Sequence, residues 1–172
     1  REKMQKYYGW IDYYMKTPEE KGHRASMNII WNKLNKLKPT YWIHIEDDFL
    51  FYHSMNYITK GINVLKNNNN NIKQVVFNKN YAETIEYYKS NGHLPITNMP
   101  DIVLHNHLPN QTITKYLNSH FWPHYSFRPS ITRVDTILSL GNYDSQNQFF
   151  ERDYADKWNS AGYKTAFFDR IT

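Results

Sequence analysis

The run Tyr41-Trp42-Ile43-His44-Ile45 leads directly into three consecutive carboxylates, Glu46, Asp47 and Asp48. An extended, apolar-rich segment of this length reads as a strand with a buried face. Like charges packed this closely repel unless water or a cation screens them. The end of a buried strand offers little water, so a divalent ion is the sharper explanation. Hard carboxylate oxygens suit Mg²⁺ or Mn²⁺, which bind through one or two carboxylates plus the phosphates of a substrate. A solvated acidic turn is the plainer alternative.

With 172 residues, 40% hydrophobic and 17% aromatic, the chain can bury one core and is about one domain long. No run approaches the roughly 18–20 apolar residues of a membrane span, and no signal-peptide series opens the sequence. A soluble chain without a transmembrane segment is expected, with the cytoplasm the favoured compartment. The absence of cysteine excludes a disulfide scaffold and thiolate zinc sites. A net charge of +5 favours an anionic partner. The lysines are scattered, and no recognition helix, zinc-finger spacing or basic run with interleaved aromatics is present, so nucleic acid is not the expected partner. Because Arg1 already stands in a helical pattern, residues 1–172 are expected to form a single domain or the C-terminal part of a longer one.

Periodicity predicts a helix over residues 1–16. Thr17-Pro18-Glu19-Glu20 then supplies a cap, a proline for a first turn and acids behind it, a start signal for a second helix. Met27, Ile30, Trp31, Leu34 and Leu37 give that helix an apolar stripe, and Pro39 stops it. A strand over Tyr41 to Ile45 is followed by a helix from Ser54 to Leu65 and a strand from Ile72 to Phe77. Between the last two lies an Asn-rich surface loop, residues 66–72, whose polar tract cannot join a core. A helix is expected over Tyr81 to Ser90, and a short strand at Ile102-Val103-Leu104 within an irregular, proline-rich middle. After Ser130 a helix through Val134, Ile137 and Leu138 ends at Gly141; another spans 149–162, and Tyr163 to Phe168 closes as a strand.

Helices alternating with strands argue an α/β domain with a largely parallel sheet, in which ligands sit at the carboxyl ends of strands. Glu46, Asp47 and Asp48 occupy such an end. The stretch from Ser119 to Ser130 is dense in aromatics and histidine. Aromatic faces stack on sugar rings, which makes Trp122 and His124, with Arg128 beside them, candidates for holding an acceptor. His105 and His107 lack the companion residues of a zinc site. Glu151 and Asp153 fall in a first helical turn, where acids complement the macrodipole, and a carboxylate there can also serve as a general base.

Glu46-Asp47-Asp48 at a strand end, followed by Gly141-Asn142-Tyr143-Asp144, Phe150-Glu151-Arg152-Asp153-Tyr154 and Ala161-Gly162-Tyr163-Lys164, resembles the GT-A-fold glycosyltransferases, most like the family 2 group. The resemblance spans most of the chain. The Asn-, Lys-, Ile- and Tyr-rich composition, as of an AT-rich coding sequence, is similar to that of glycosyltransferases of giant DNA viruses. The resemblance implies a GT-A sheet, Rossmann-like and flanked by helices; the family's first half-sheet would precede Tyr41, where only two helices stand, so the expectation is either a domain incomplete at the N-terminus or a degenerate one. It implies Mn²⁺ or Mg²⁺ on Glu46 and Asp48, bridging the diphosphate of a nucleotide-sugar donor, with Asp47 toward the donor sugar or ribose. The segment from Arg24 to Asn28 resembles the family's donor-facing helix. Glu151 aligns with the family's base, with Asp153 the alternative, and the acceptor would be a hydroxyl of a glycan, protein or lipid, attacked with inversion. The competing expectations are a non-catalytic carbohydrate-binding or scaffolding domain on the same fold and a metal-dependent phosphoester hydrolase.

Overall fold

The computed structural model describes residues 2–51, 54–67, 71–77, 93–96, 98–105, 124–144 and 146–168. Within them the chain forms α1 (Glu2–Tyr7), α2 (His23–Leu37), β1 (Tyr41–His44), α3 (Tyr57–Lys66), β2 (Ile72–Val76), β3 (His93–Ile96), β4 (Met99–His105), β5 (Ser130–Arg133), α4 (Val134–Leu140), α5 (Phe150–Ser160) and β6 (Lys164–Phe168). The strands make one six-stranded sheet in the order β1-β5-β2-β6-β4-β3. The expected helix over Tyr81 to Ser90 lies outside the described residues.

Apolar spacing decides which helix covers which face. On one side α2 contributes Met27 and Leu34, α4 Val134 and Ile137, and α5 Phe150, Tyr154, Ala155 and Trp158 to a single buried cluster with Tyr125, Phe127 and Tyr143. On the other, α3 lays Val64 and Leu65 against Ile72, Val75, Ile102, Ile131, Ala166 and Phe168. Burying a side chain of this size contributes roughly 1.5–3 kcal/mol, so these two clusters, rather than any single helix, hold the layers together. Local chemistry sets the ends: Asn56 accepts the Thr59 N–H to start α3. Gly162 takes φ +75° to close α5, with the Tyr163 N–H returning to the Trp158 carbonyl. Among the described residues no helix is long and apolar enough to cross a membrane.

The α/β class holds, but the sheet is mixed rather than largely parallel. Only β2 and β6 run parallel; β5 is antiparallel to both β1 and β2, and β4 is antiparallel to β6 and β3. The discrepancy traces to β5, whose four residues Ser-Ile-Thr-Arg are too few to display a period and read instead as the approach to a helix. β3 and the extended β4 were hidden by Pro95 and Pro100. Pro95 lies on the edge strand β3, where a missing N–H is tolerated, and Pro100 precedes the residues of β4 that pair with β6. β1 is likewise an edge strand, with Ile43 and, just beyond it, Ile45 exposed, so the acids do not follow a fully buried strand.

The predicted helix over residues 1–16 shortens to α1, which buries nothing; a six-residue helix without tertiary support is marginal. Nor does Thr17 start α2. Glu20 folds back to accept the Thr17 N–H at 2.8 Å, closing an isolated turn, and Gly22 at φ +87° redirects the chain before His23 begins the helix.

Gly61 lets α3 approach the sheet. A Cβ at this position would lie 2.6 Å from Cγ2 of Ile131, which is fully buried. Gly61→Ala should therefore lower stability by about 1–3 kcal/mol through overpacking, despite alanine's higher helix propensity. Urea melts check the sign; a stabilised variant would contradict this close packing.

Candidate functional site

Because β5 runs opposite to β1, its first residues lie beside the end of β1: His44 pairs with Ser130 in the register. The carboxylates after β1 and the segment leading into β5, residues 124–129, thus share one end of the sheet. Phe77, just past β2, donates its N–H to the Pro129 carbonyl at 2.7 Å and ties the same segment to β2. α5 precedes β6, so its first turn returns to this end too. There a Glu151 carboxylate oxygen accepts the Phe127 N–H at 2.9 Å and lies 3.5 Å from the Ser126 hydroxyl.

Glu46 is half-buried, whereas Asp47 and Asp48 are exposed. Its carboxyl is pushed above the ordinary carboxylate range by burial first, then by Asp48, Glu151 and Asp47, while Arg128 pulls the other way. That set of mutual influences places Glu46, Asp48, Glu151 and Arg128 in one electrostatic neighbourhood. The Arg128 guanidinium sits 5.1 Å from the centre of the Phe49 ring, a cation–π distance. His44 approaches Glu46 at 3.7 Å, yet burial, reinforced by His23, pushes its imidazole down to about 4. At neutral pH the pair is a neutral ring beside a carboxylate and not an ion pair.

Among the described residues no three His, Asp or Glu side chains converge as a ready-made metal cage. The donor chemistry still suits a hard divalent cation that shares its coordination with phosphate oxygens: a half-buried carboxylate crowded by others is relieved by a cation. Glu46 and Asp48 are the residues that could hold one.

Glu151 and Asp153 are separated by two residues, or roughly 200° of helical rotation, and accordingly face different surroundings. Glu151 meets Phe127 and Ser126, whereas Asp153 has the Asn147 side-chain amide at 3.5 Å. Arg24 donates to the Gln146 side chain at 3.2 Å. Asn28 spends both ends of its amide on one backbone unit: it donates to the Tyr143 carbonyl at 3.0 Å and accepts the Tyr143 N–H at 2.8 Å. This latch fastens α2 to the loop before α5 and gives Asn28 a structural task apart from the acidic group.

The expected aromatic acceptor platform is largely turned inward. Tyr125 and Phe127 are buried, and His124, at φ +64°, is buried with its ring centre 4.9 Å from that of His105. The buried His124 imidazole presents no exposed face to an acceptor, and Tyr125 and Phe127 join the core beneath α5. Trp122 and His107 lie outside the described residues.

Sequence reasoning missed Gln74. It stands in a central strand, 1% exposed, with its amide bonded to both the N–H and the carbonyl of Ser126 and to the hydroxyls of Ser130 and Thr165. The available signal was a lone amide inside the apolar run Ile72 to Phe77.

Two substitutions test these assignments. Asn28→Ala leaves the N–H and carbonyl of Tyr143 without this partner and should cost about 1–3 kcal/mol, read from denaturant melts. Glu46→Gln removes one of several crowded charges. It should leave the thermal midpoint in EDTA unchanged or raised, and a fall of several degrees would mean that Glu46 is instead an anchoring ion-pair partner. No protein-family model, curated protein or solved structure matches the chain.

Proposed function

We propose that the chain is a metal-dependent glycosyltransferase domain of GT-A type, moving a sugar from a nucleotide-diphosphate donor to an acceptor hydroxyl with inversion. The observation that supports the reading is that the acids after β1 and Glu151, from the first turn of α5, lie at one end of the sheet, the carboxyl ends of β1, β2 and β6. Open α/β sheets hold ligands at this end. Carboxylates of two types stand there, an exposed pair beside half-buried Glu46 and a separate one hydrogen-bonded to backbone.

Glu46 and Asp48 would hold Mg²⁺ or Mn²⁺ together with the donor's diphosphate, and the ion supplies Lewis-acid stabilisation of the departing phosphate. Asp47, exposed next to them, is available to a donor hydroxyl. Glu151 is oriented by the Phe127 N–H and accepts the proton of the acceptor hydroxyl. That oxygen attacks the anomeric carbon as the bond to the diphosphate breaks. Glu151 is favoured over Asp153 as the base because it is bonded to the segment that leads into β5, beside the end of β1, whereas Asp153 meets Asn147. Arg128, among the acids and over Phe49, adds a positive charge on the side of the leaving group or the acceptor.

A thermal-shift panel of UDP, GDP, CDP and their sugars, with and without Mn²⁺, should give a metal-dependent rise with one nucleotide. Saturation at 100 times Kd corresponds to about 2.7 kcal/mol. Asp48→Asn should abolish both that shift and sugar transfer. Glu151→Gln keeps an acceptor for the Phe127 N–H, so it should fold and retain the shift while kcat falls about 10²- to 10⁴-fold. Full transfer by Asp48→Asn would sink the proposal.

A further inference from the structure

We infer that Gln74, in the central strand β2, is the positioning residue that sets where Glu151 stands. The inference rests on the transferase reading for its catalytic consequence, and on geometry alone for the positioning.

The Gln74 amide has two donor hydrogens and two acceptor lone pairs, and all four are engaged. Its Nε2 donates to the Ser126 carbonyl at 2.7 Å and to Ser130 Oγ at 3.2 Å. Its Oε1 accepts the Ser126 N–H at 3.1 Å and the Thr165 hydroxyl at 3.2 Å. Residue 126 is therefore held through both of its backbone polar groups, as a neighbouring strand would hold it, by a side chain belonging to the rigid middle of the sheet.

Ser126 and its successor are the contacts of Glu151. The Phe127 N–H reaches the carboxylate at 2.9 Å, Ser126 Oγ lies at 3.5 Å, and Ser126 Oγ also accepts the Arg128 N–H at 3.3 Å. A glutamate has several rotatable bonds, and a backbone N–H on a fixed segment selects among its rotamers. The path from β2 to the carboxylate thus has three links: Gln74 to the Ser126 backbone, the Phe127 N–H to Glu151, and the Ser126 hydroxyl bracing both Glu151 and Arg128. An apolar residue would fill the same volume in β2 and leave the segment before β5 without this hold. Gln74 lies at the level of Thr132 and Thr165 in the neighbouring strands, well inside the sheet, so it contacts no ligand at the rim and acts only through Ser126.

The test compares Gln74→Met, which removes every amide hydrogen bond at similar volume, and Gln74→Asn, which keeps an amide too short to reach Ser126, with Thr165→Val. The valine removes a buried hydroxyl from the same cluster without touching the Ser126 backbone. In both Gln74 variants kcat should fall at least tenfold with the donor KM within twofold, while Thr165→Val keeps kcat within twofold. Hydrogen exchange of the Phe127 amide should accelerate at least tenfold relative to that of Val75 in the Gln74 variants and not in Thr165→Val. If Gln74→Met is not recovered folded, Gln74→Asn carries the same two readouts. Unchanged Phe127 exchange, or equal loss of kcat in Thr165→Val, overturns the inference. A wild-type chain without transfer activity overturns the transferase reading instead, and the exchange result then decides the positioning by itself.

Discussion

The double ladder of β5 is the constraint on which the rest of the architecture depends. Four residues, Ser130 to Arg133, bond to β1 along one edge and to β2 along the other, antiparallel to both. An antiparallel strand begins where its neighbours end, so the segment before β5 is obliged to cross the carboxyl ends of β1 and β2. A parallel strand in this slot would begin at the far end and carry residues 124–129 away from the acids. From this one pairing follow the Phe77–Pro129 bond, the hold of Gln74 on Ser126 and the contact of Phe127 with Glu151. The slot is also packed from above: fully buried Ile131 meets α3 at Gly61, where a methyl group would collide.

The fold combines crowded charge at the rim with buried tyrosines whose hydroxyls are hydrogen-bonded. Glu46 is raised by burial first and then by its acidic neighbours, while Arg128 pulls the other way. One layer down, Tyr125 and Tyr143 share a hydroxyl hydrogen bond at 2.8 Å, and the Tyr154 hydroxyl reaches the Ile137 carbonyl at 3.2 Å. Burying these tyrosines therefore brings aromatic area without stranding their hydroxyls. Crowded charge of this kind is common where a site binds a cation or moves a proton, although structural networks produce it as well.

Much of the scaffold was legible in the sequence because its signals are local. The stripe Met27, Ile30, Trp31, Leu34 set the buried side of α2, Gly141 and Gly162 marked helix ends, and the apolar runs at 72–77 and 163–168 gave the two central strands. What escaped is settled by pairing. β5 is too short to show a period, and its direction depends on β1 and β2, far away in sequence. Thr17-Pro18-Glu19-Glu20 carries every local mark of a helix start, yet its bonds close within the turn and Gly22 intervenes. The candidate site divides in the same way. The acids and Glu151 could be named as residue types in order, whereas the burial of Tyr125 and His124 and the latch from Asn28 to Tyr143 depend on which surfaces meet.

The inward turn of the aromatics changes what the rim can recognise. With Tyr125 and Phe127 committed to the core, a ligand at the ends of β1 and β2 meets charge and hydrogen-bonding groups: Glu46, Asp47, Asp48, Glu151 and Arg128. Exposed Ile45, Leu50 and Phe51, on the same segment after β1, are apolar surface beside these charges. The half-buried Phe49 is an aromatic neighbour already engaged with Arg128, and its π face steadies the guanidinium. Among these described groups, four carboxylates outnumber the one arginine, which leaves the rim acidic at short range. A purely cationic ligand would meet Arg128, and a bare anion would meet the acids. The +5 charge of the whole chain can draw an anion inward from a distance, whereas at contact range the local acids oppose it.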